Sequence, residues 1–129
     1  MAGSAPANLR YLSTHEWHRR DGEVVTIGIT QFAADELTDI TYVGYKVKPG
    51  DKITANGRFG EIESVKTASD LYSGVAGTVA EVNKELDSNP TFVNSDPYNK
   101  GWMIKVRVTN PGDLDKLLSA DEYTKKTGH

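Results

Sequence analysis

One lysine inside an octapeptide carries the most informative chemistry of this sequence. The segment Glu63-Ser64-Val65-Lys66-Thr67-Ala68-Ser69-Asp70 sets Lys66 between an apolar strand and a turn of small residues. A lysine that acts as a base or forms a Schiff base needs desolvation or a cationic neighbour to lower its pKa. Lys66 has Glu61, Glu63 and Asp70 close in sequence instead, and carboxylates favour the charged ammonium. The pattern argues against a catalytic lysine. It favours an exposed lysine that another enzyme modifies, the plain alternative being a solvated turn lysine in a loose ion pair.

The residue types give little reason to expect a catalytic site or a metal site elsewhere in the chain. The chain has no cysteine, which excludes disulfides, thiolate nucleophiles and cysteine metal sites. Of the three histidines, His129 is terminal, and a strand over residues 15–19 would point His15 and His18 to opposite faces. The sequence contains no nucleophile-elbow motif and no Gly-rich phosphate loop after a strand. We therefore expect no catalytic residue and no metal site.

Short strands with turn residues between them must position these side chains. Strand character runs over residues 9–20, with Asp21-Gly22 as a hairpin turn. On that strand, Thr14, Glu16 and His18 would share one face, and His15 and Trp17 would share the other. Residues 24–30 predict the next strand, and Thr30 caps a short helix over residues 31–37. The lysine then lies at the tip of a hairpin whose arms are residues 59–65 and 68–73.

The second half of the chain predicts two further strands and peripheral helices. The strands cover residues 78–82 and 102–108, and the segment between them, residues 84–99, is rich in loop-forming residues. Asn110 and Pro111 predict the start of a helix that continues through Leu118. Ser119 and Glu122 form a capping-box pattern for a last short helix.

Length and composition indicate one soluble domain. Residues 1–8 are rich in Ala, Gly, Ser and Pro, and we expect a disordered lead or an expression remnant, followed by a single domain over residues 9–129 with C-terminal helices. The 129 residues are 37% hydrophobic and carry a net charge of −3. This balance gives no reason to expect nucleic acid or a membrane as partner. The expected location is the cytoplasm in a bacterium or the mitochondrial matrix in a eukaryote.

Several motifs in this order resemble lipoyl-carrier domains, and specifically the H-protein family of the glycine cleavage system. The resemblance covers roughly residues 9 to 124, and any one of its motifs alone would be weak evidence. Besides the octapeptide, the motifs are Thr14-His15-Glu16-Trp17, Thr26-Ile27-Gly28-Ile29-Thr30, Asn94-Ser95-Asp96-Pro97-Tyr98, Gly101-Trp102-Met103-Ile104-Lys105 and Leu117-Leu118-Ser119-Ala120-Asp121-Glu122-Tyr123.

The resemblance implies a fold, a cofactor and a set of partners. The fold would be mainly β, a flattened two-sheet barrel-sandwich hybrid of the lipoyl/biotinyl-carrier type with short peripheral helices. Lipoate would be attached covalently to Lys66 as N6-lipoyllysine, by a lipoate ligase or by a lipoyl/octanoyl transferase. The protein would not be an enzyme. It would carry an aminomethyl group from glycine decarboxylase (P protein) to the aminomethyltransferase (T protein), and dihydrolipoamide dehydrogenase (L protein) would reoxidise it.

The resemblance also implies roles for acidic residues around the lysine. Residues matching Thr14, Glu16 and Asp70 contact the loaded arm in the family, whereas the residues alone favour Glu16 as a surface carboxylate on an edge strand and Trp17 in the core. Glu61 and Glu63 would help the modifying enzyme to recognise the lysine. Their plainer interpretation is that they keep the sheet face soluble.

Two other functions remain open, and one segment departs from the family. The protein could be a lipoyl relay that donates its group to 2-oxoacid dehydrogenase complexes, or an unmodified interaction module. Biotin is disfavoured, because biotin carriers usually place the lysine between methionines, whereas here Val65 and Thr67 flank it. The segment from Val43 to Gly50 is one residue longer and more basic than is usual in the family, which could alter partner docking.

Overall fold

Two antiparallel β-sheets form the body of the protein in the computed structural model, which describes residues 6–127. The larger sheet has six strands in the order β1-β2-β3-β9-β8-β5, and the smaller has three in the order β4-β6-β7. The strands are β1 Arg10–Tyr11, β2 Glu16–Asp21, β3 Val24–Ile29, β4 Ile40–Tyr45, β5 Lys52–Ile53, β6 Gly57–Ser64, β7 Ala68–Ser73, β8 Gly77–Val82 and β9 Ile104–Val108. The predicted mainly β, two-sheet architecture is confirmed.

Short helices lie around the two sheets. They are α1 Gln31–Leu37, α2 Glu85–Ser88, α3 Phe92–Ser95, a 3₁₀ helix Pro111–Lys116 and α4 Ala120–Thr127. Thr30 caps α1, because its side chain accepts a hydrogen bond from the amide of Ala33 at 3.2 Å. The predicted capping box of α4 is also formed, since Ser119 and Glu122 exchange hydrogen bonds of 2.9 and 3.2 Å. None of the helices in the described part of the chain is both long and apolar enough to cross a membrane.

The core lies between the sheets, and a second cluster lies beside it. Alternation on β3 turns Val25, Ile27 and Ile29 inward, and all three are buried in the main core. Trp17 belongs to the second cluster with Tyr11 and Tyr123, and its predicted burial is confirmed. The indole N–H donates to the carbonyl oxygen of Pro97 at 3.0 Å, so the ring has no unsatisfied polar atom.

The prediction of one strand over residues 9–20 is wrong in its details. β1 and β2 are separate antiparallel strands, joined by a turn that contains His15 at φ = 85°. A left-handed backbone is unusual for a non-glycine residue and ends the alternation of faces there. The prediction that His15 and Trp17 share one strand face is therefore also wrong, because β2 begins at Glu16.

The second half of the chain differs from the prediction in two places. The loop-rich segment 84–99 contains α2 and α3, each of only four residues. The helix predicted to continue through Leu118 is a 3₁₀ helix that ends at Lys116, and Leu118 forms a β-bridge with Tyr11 instead. This bridge holds the end of the chain against β1.

The ends of the chain are described only in part. Of the predicted disordered lead, residues 1–5 lie outside the described residues, as do the last two residues of the predicted domain. Pro6 is described, and its carbonyl oxygen accepts a hydrogen bond of 2.6 Å from the hydroxyl of Tyr11.

Candidate functional site

The turn that presents Lys66 is organised by one serine side chain. β6 and β7 pair from Gly57–Ser73 to Glu63–Ala68, which leaves Lys66 in the connecting turn. The Ser64 hydroxyl oxygen accepts hydrogen bonds from the amides of Lys66 and Thr67, both at 3.1 Å, and donates to the Thr67 carbonyl oxygen at 3.2 Å. Such side-chain bonds fix a tight turn without further packing. The Lys66 side chain therefore stands exposed on a well-defined backbone.

The ammonium of Lys66 lies at the rim of a pocket. Its Nζ donates to the carbonyl oxygen of Glu36 at 3.4 Å, in the last turn of α1, where carbonyls lack helical partners. Glu36 also lines a pocket of about 210 Å³ between α1, β7 and the β1–β2 turn. The lining residues are Thr14, His15, Glu16, Ile29, Phe32, Ala33, Glu36, Leu37, Ile62, Ser69, Asp70 and Leu71. Thr14, Glu16 and Asp70, the three residues expected to contact the arm, thus lie around one cavity.

Glu16 is a buried carboxyl and not the surface group that its residue type favours. Its side chain is fully buried at the start of β2. One oxygen accepts a hydrogen bond of 2.5 Å from the Thr14 hydroxyl, and the other accepts one of 2.9 Å from the amide of Tyr72 on β7. Burial raises the pKa of Glu16 to about 7, against the lowering effect of these two hydrogen bonds. The pocket therefore holds a carboxyl group that a nearby cation would readily ionise.

His18, two residues further along β2 than Glu16, also accepts a hydrogen bond from a backbone amide at the β7 end of the smaller sheet. Its Nε2 accepts a hydrogen bond of 2.9 Å from the amide of Gly74, so the proton of the neutral ring lies on Nδ1. Nδ1 is buried and has no hydrogen-bond partner among the described residues. Burial lowers the pKa of His18 to about 4, with backbone groups of Arg10 and Glu16 opposing the shift. Glu16 and His18 together tie β2 of one sheet to the β7 end of the other.

His15 forms one wall of the pocket and is held from the C-terminal helix. Its Nδ1 lies 2.7 Å from the hydroxyl of Tyr123 on α4, and that hydroxyl lies 2.7 Å from the Thr30 side chain that caps α1. The imidazole ring also packs against Phe32, with ring centroids 5.3 Å apart. Burial lowers the pKa of His15, with the charge of Glu36 opposing the shift. The pocket wall is therefore assembled from both ends of the chain.

Two of the three carboxylates close to Lys66 in sequence are paired with other cations. Asp70 accepts from Arg58 Nε at 2.9 Å, and Glu61 lies 3.2 Å from Arg58 Nη2 and 3.4 Å from Lys46 Nζ. Within residues 6–127 Lys66 forms no ion pair. The alternative of a turn lysine in a loose ion pair is therefore not what the structure shows, and Lys66 contacts the Glu36 carbonyl oxygen instead.

Sequence reasoning missed four residues of this site. They are Glu36, Tyr72, Arg58 and the turn-forming Ser64. Only Glu36 had a usable signal, because it lies four residues after Phe32 on the face of α1 that also carries Ala33 and Leu37. The structure does not bring Glu61 or Glu63 to the pocket. In the described part of the chain no group of three or more His, Asp or Glu side chains could hold a metal ion.

Two packed antiparallel sheets with a lysine at an exposed hairpin tip define a sandwich of the lipoyl-carrier type. Comparisons with known proteins identify the family. Residues 9–129 match the model of the glycine cleavage H-protein family. The chain is 49% identical over 124 residues to the glycine cleavage system H protein of Bacillus pumilus, covering 96% of this chain and 97% of the relative. The corresponding protein of Carboxydothermus hydrogenoformans is 50% identical over 120 residues, which cover 93% and 92% of the two chains.

A solved structure shows the same fold. The crystal structure of a glycine cleavage system H protein from Mycobacterium marinum superimposes with a TM-score of 0.88 at 33% identity, covering 97% of this chain and all of the other. The chain belongs to the glycine cleavage H-protein family. This membership confirms the predicted role in the glycine cleavage system, and with it a carrier protein and not an enzyme.

Proposed function

We propose that Lys66 carries lipoate in amide linkage. The protein then moves an aminomethyl group from the P protein to the T protein. The L protein reoxidises the lipoyl dithiol that remains. The observation that carries this proposal is the position of the Lys66 ε-nitrogen. It stands on an ordered turn, at the rim of a pocket that contains a buried carboxyl. When attached, lipoate supplies a dithiol–disulfide pair that takes up and gives off the cargo, a chemistry that a chain without cysteine lacks.

The turn and the pocket fit such a group. A lysine stem extended by an eight-carbon acid spans roughly 10–15 Å by standard bond lengths, enough to reach into a cavity that begins beside the attachment atom. The pocket lining combines apolar residues, among them Ile29, Phe32 and Leu71, with a carboxyl at Glu16. Apolar walls suit a hydrocarbon chain, and a carboxylate suits a protonated amine at its end. The chemistry of the lining residues therefore supports an arm with a hydrocarbon chain and a terminal amine.

Three residues receive distinct roles in this proposal. Glu16 binds the cargo ammonium, and the positive charge favours the ionised carboxylate despite its burial. Thr14 holds one Glu16 oxygen in place through its hydroxyl. Asp70 lies at the pocket edge on β7 and adds a second negative charge. The enclosure keeps water from a cargo that is prone to hydrolysis.

Glu61 and Glu63 are proposed as recognition groups for the lipoate ligase or lipoyl/octanoyl transferase. They alternate with the buried Ile62 along β6, so their side chains share one face of the strand that leads to Lys66. A ligase that approaches the hairpin tip would meet this face, on which Glu61 also pairs with Arg58 and Lys46. Charge reversal at both positions should slow lipoylation if the interpretation is right. An unchanged rate would assign them to solubility alone.

The cytoplasm is the proposed location, since the relatives compared are bacterial proteins. The basic segment around Lys46 and Lys48 connects β4 to β5, and in sequence it precedes the lysine hairpin. We propose that it modulates docking to the partner enzymes.

Intact mass of the protein purified from lipoate-fed cells tests the proposal, with Lys66→Arg as the control. A single lipoyl-amide increment that disappears in the variant is the expected result. Loading of the lipoylated protein by P protein and glycine should follow. If a ligase that is competent on another carrier leaves the chain unmodified, the protein is an interaction module that retains only the fold. Transfer of the group to purified 2-oxoacid dehydrogenase domains would establish the lipoyl relay instead.

A further inference from the structure

Asp70 lies between two recesses on the surface. On one side it lines the pocket with Thr14 and Glu16, and on the other it lines an outer groove of about 170 Å³ with Arg58 and Glu61. Its carboxylate is about half exposed, with Oδ1 paired to Arg58 and Oδ2 accepting a hydrogen bond of 3.4 Å from the Tyr72 hydroxyl. One carboxylate therefore borders two neighbouring recesses.

Arg58 occupies the outer side of this carboxylate. Its Nε donates to Asp70 Oδ1 at 2.9 Å, while its Nη2 donates to Glu61 Oε1 at 3.2 Å. The planar guanidinium, with donors on separate atoms, suits such a bridge between two carboxylates. Lys46 pairs with Glu61 at 3.4 Å and has no ion pair with Asp70. Arg58 is thus the cation that holds Asp70 in the structure described here.

The ion pair between Arg58 and Asp70 has the properties of an exchangeable contact. Both side chains are 40% or more exposed, and ion pairs of this kind contribute little to stability and are screened by salt. A second cation that arrives from the pocket side can therefore displace Arg58 at small cost. When that cation is absent, Arg58 pairs with Asp70, as in the structure described here.

We propose that Arg58 competes with the amine cargo of the arm for the carboxylate of Asp70 and thereby limits how long the cargo is retained. This inference rests on the proposed function, in which Asp70 contacts the cargo. Arg58 is a positioning residue in this scheme, because it acts through Asp70 and touches no reacting atom. Its effect is to favour release of the cargo.

Retention of the cargo by lipoylated protein provides the test. The protein is loaded with isotope-labelled glycine and P protein, the P protein is removed, and loss of label is followed at low ionic strength. Arg58→Gln should lengthen the half-life about two- to five-fold, the range expected of an exposed ion pair. Lys46→Gln is the matched control, because it removes a positive charge from the same cluster without touching Asp70, and it should leave the half-life unchanged. Raising the salt concentration should shrink the Arg58→Gln effect.

The Arg58 Nε–H resonance gives a readout that does not depend on transfer. It should move on loading toward its position in the Asp70→Asn variant, as expected if the guanidinium loses the carboxylate. Arg58→Gln added to Asp70→Asn should change the half-life no further. The inference is overturned if Arg58→Gln leaves the half-life unchanged or shortens it, or if the Arg58 Nε–H resonance does not move on loading. Either result leaves the proposed function standing. If the protein does not load, or if Asp70→Asn has no effect on retention, the arm contact of the proposed function fails and this inference fails with it.

Discussion

Glu16 shows how one buried side chain can serve both the fold and the site. It has no water contact, and its two oxygens are held by the Thr14 hydroxyl and the Tyr72 amide. A carboxyl in that position is costly to ionise unless a cation arrives. In the proposed function, an amine on the arm supplies that cation and removes this cost.

Replacing Glu16 should shorten retention of the cargo while leaving lipoylation intact. We expect Glu16→Ala to reduce the half-life by about ten-fold or more, the loss expected when a charge-assisted hydrogen bond is removed. Label retention and intact mass measure the two effects separately. Glu36→Gln is the control, because it removes a carboxylate from the exposed pocket rim and should have a much smaller effect. An unchanged half-life in Glu16→Ala would remove Glu16 from the arm contact.

Ser64 should matter more to the lysine than its exposed position suggests. Its hydroxyl makes three hydrogen bonds within the turn, so Ser64→Ala should loosen the backbone that presents Lys66. We expect slower lipoylation and a loss of stability of about 1 kcal/mol or less. Ser69→Ala is the matched control in the same hairpin, since its hydroxyl makes no hydrogen bond within residues 6–127. Equal lipoylation rates for the two variants would contradict this role.

At the level of elements, the lysine hairpin depends on close approach of neighbouring strands. A Cβ on Gly60 of β6 would lie 2.2 Å from the carbonyl oxygen of Gly44 on β4. The position also follows a shift of register between β6 and β7. Only a residue without a side chain fits there.

Gly60→Ala should therefore destabilise the protein by about 1–3 kcal/mol, because backbone atoms must move apart. Urea denaturation measures the change in the free energy of unfolding. Gly112→Ala is the control, since its Cβ would meet only the flexible side chain of Asn110 at 3.1 Å. A Gly60→Ala variant as stable as Gly112→Ala would show that the two strands separate freely.

Elements with local signals were predictable from the sequence, whereas long-range contacts were not. The lysine hairpin, α1 with its Thr30 cap and the α4 capping box all follow from residues within a few positions of one another. The break between β1 and β2 depends on His15, whose ring is held by Tyr123, 108 residues away. The burial of Glu16 had no local signal either, because an acidic residue at a strand end is ordinarily exposed.

At the scale of the whole molecule, Glu16 and His18 give opposite pH dependences to stability. The folded state keeps a proton on Glu16 that the unfolded chain loses between pH 4.5 and about 7, so this contribution falls as pH rises through that window. Between pH 6.5 and about 4, His18 is protonated in the unfolded chain but neutral in the folded state. The contribution of His18 to the free energy of unfolding therefore falls as pH drops through this window. Each amounts to something on the order of 3 kcal/mol, and they offset each other between pH 4.5 and 6.5.

Glu16→Gln should separate the two contributions. The free energy of unfolding of the variant, minus that of the protein with Glu16, should increase by up to about 3 kcal/mol between pH 4.5 and 7. The reason is that the variant has no carboxyl to ionise at this buried position. Urea denaturation of both proteins at several pH values measures the difference, and other titrating groups cancel in it. A difference that is constant with pH would contradict the raised pKa of Glu16.

β7 is the edge strand of the smaller sheet, and an open edge invites pairing with a strand of another chain. Here the amides of Tyr72 and Gly74 are taken up by a carboxyl and an imidazole from β2, which occupy the place of a missing neighbouring strand. The two side chains thus cover the end of this edge, on the same hairpin that carries Lys66. At these two positions the chain offers no free amide with which a strand of another copy could pair.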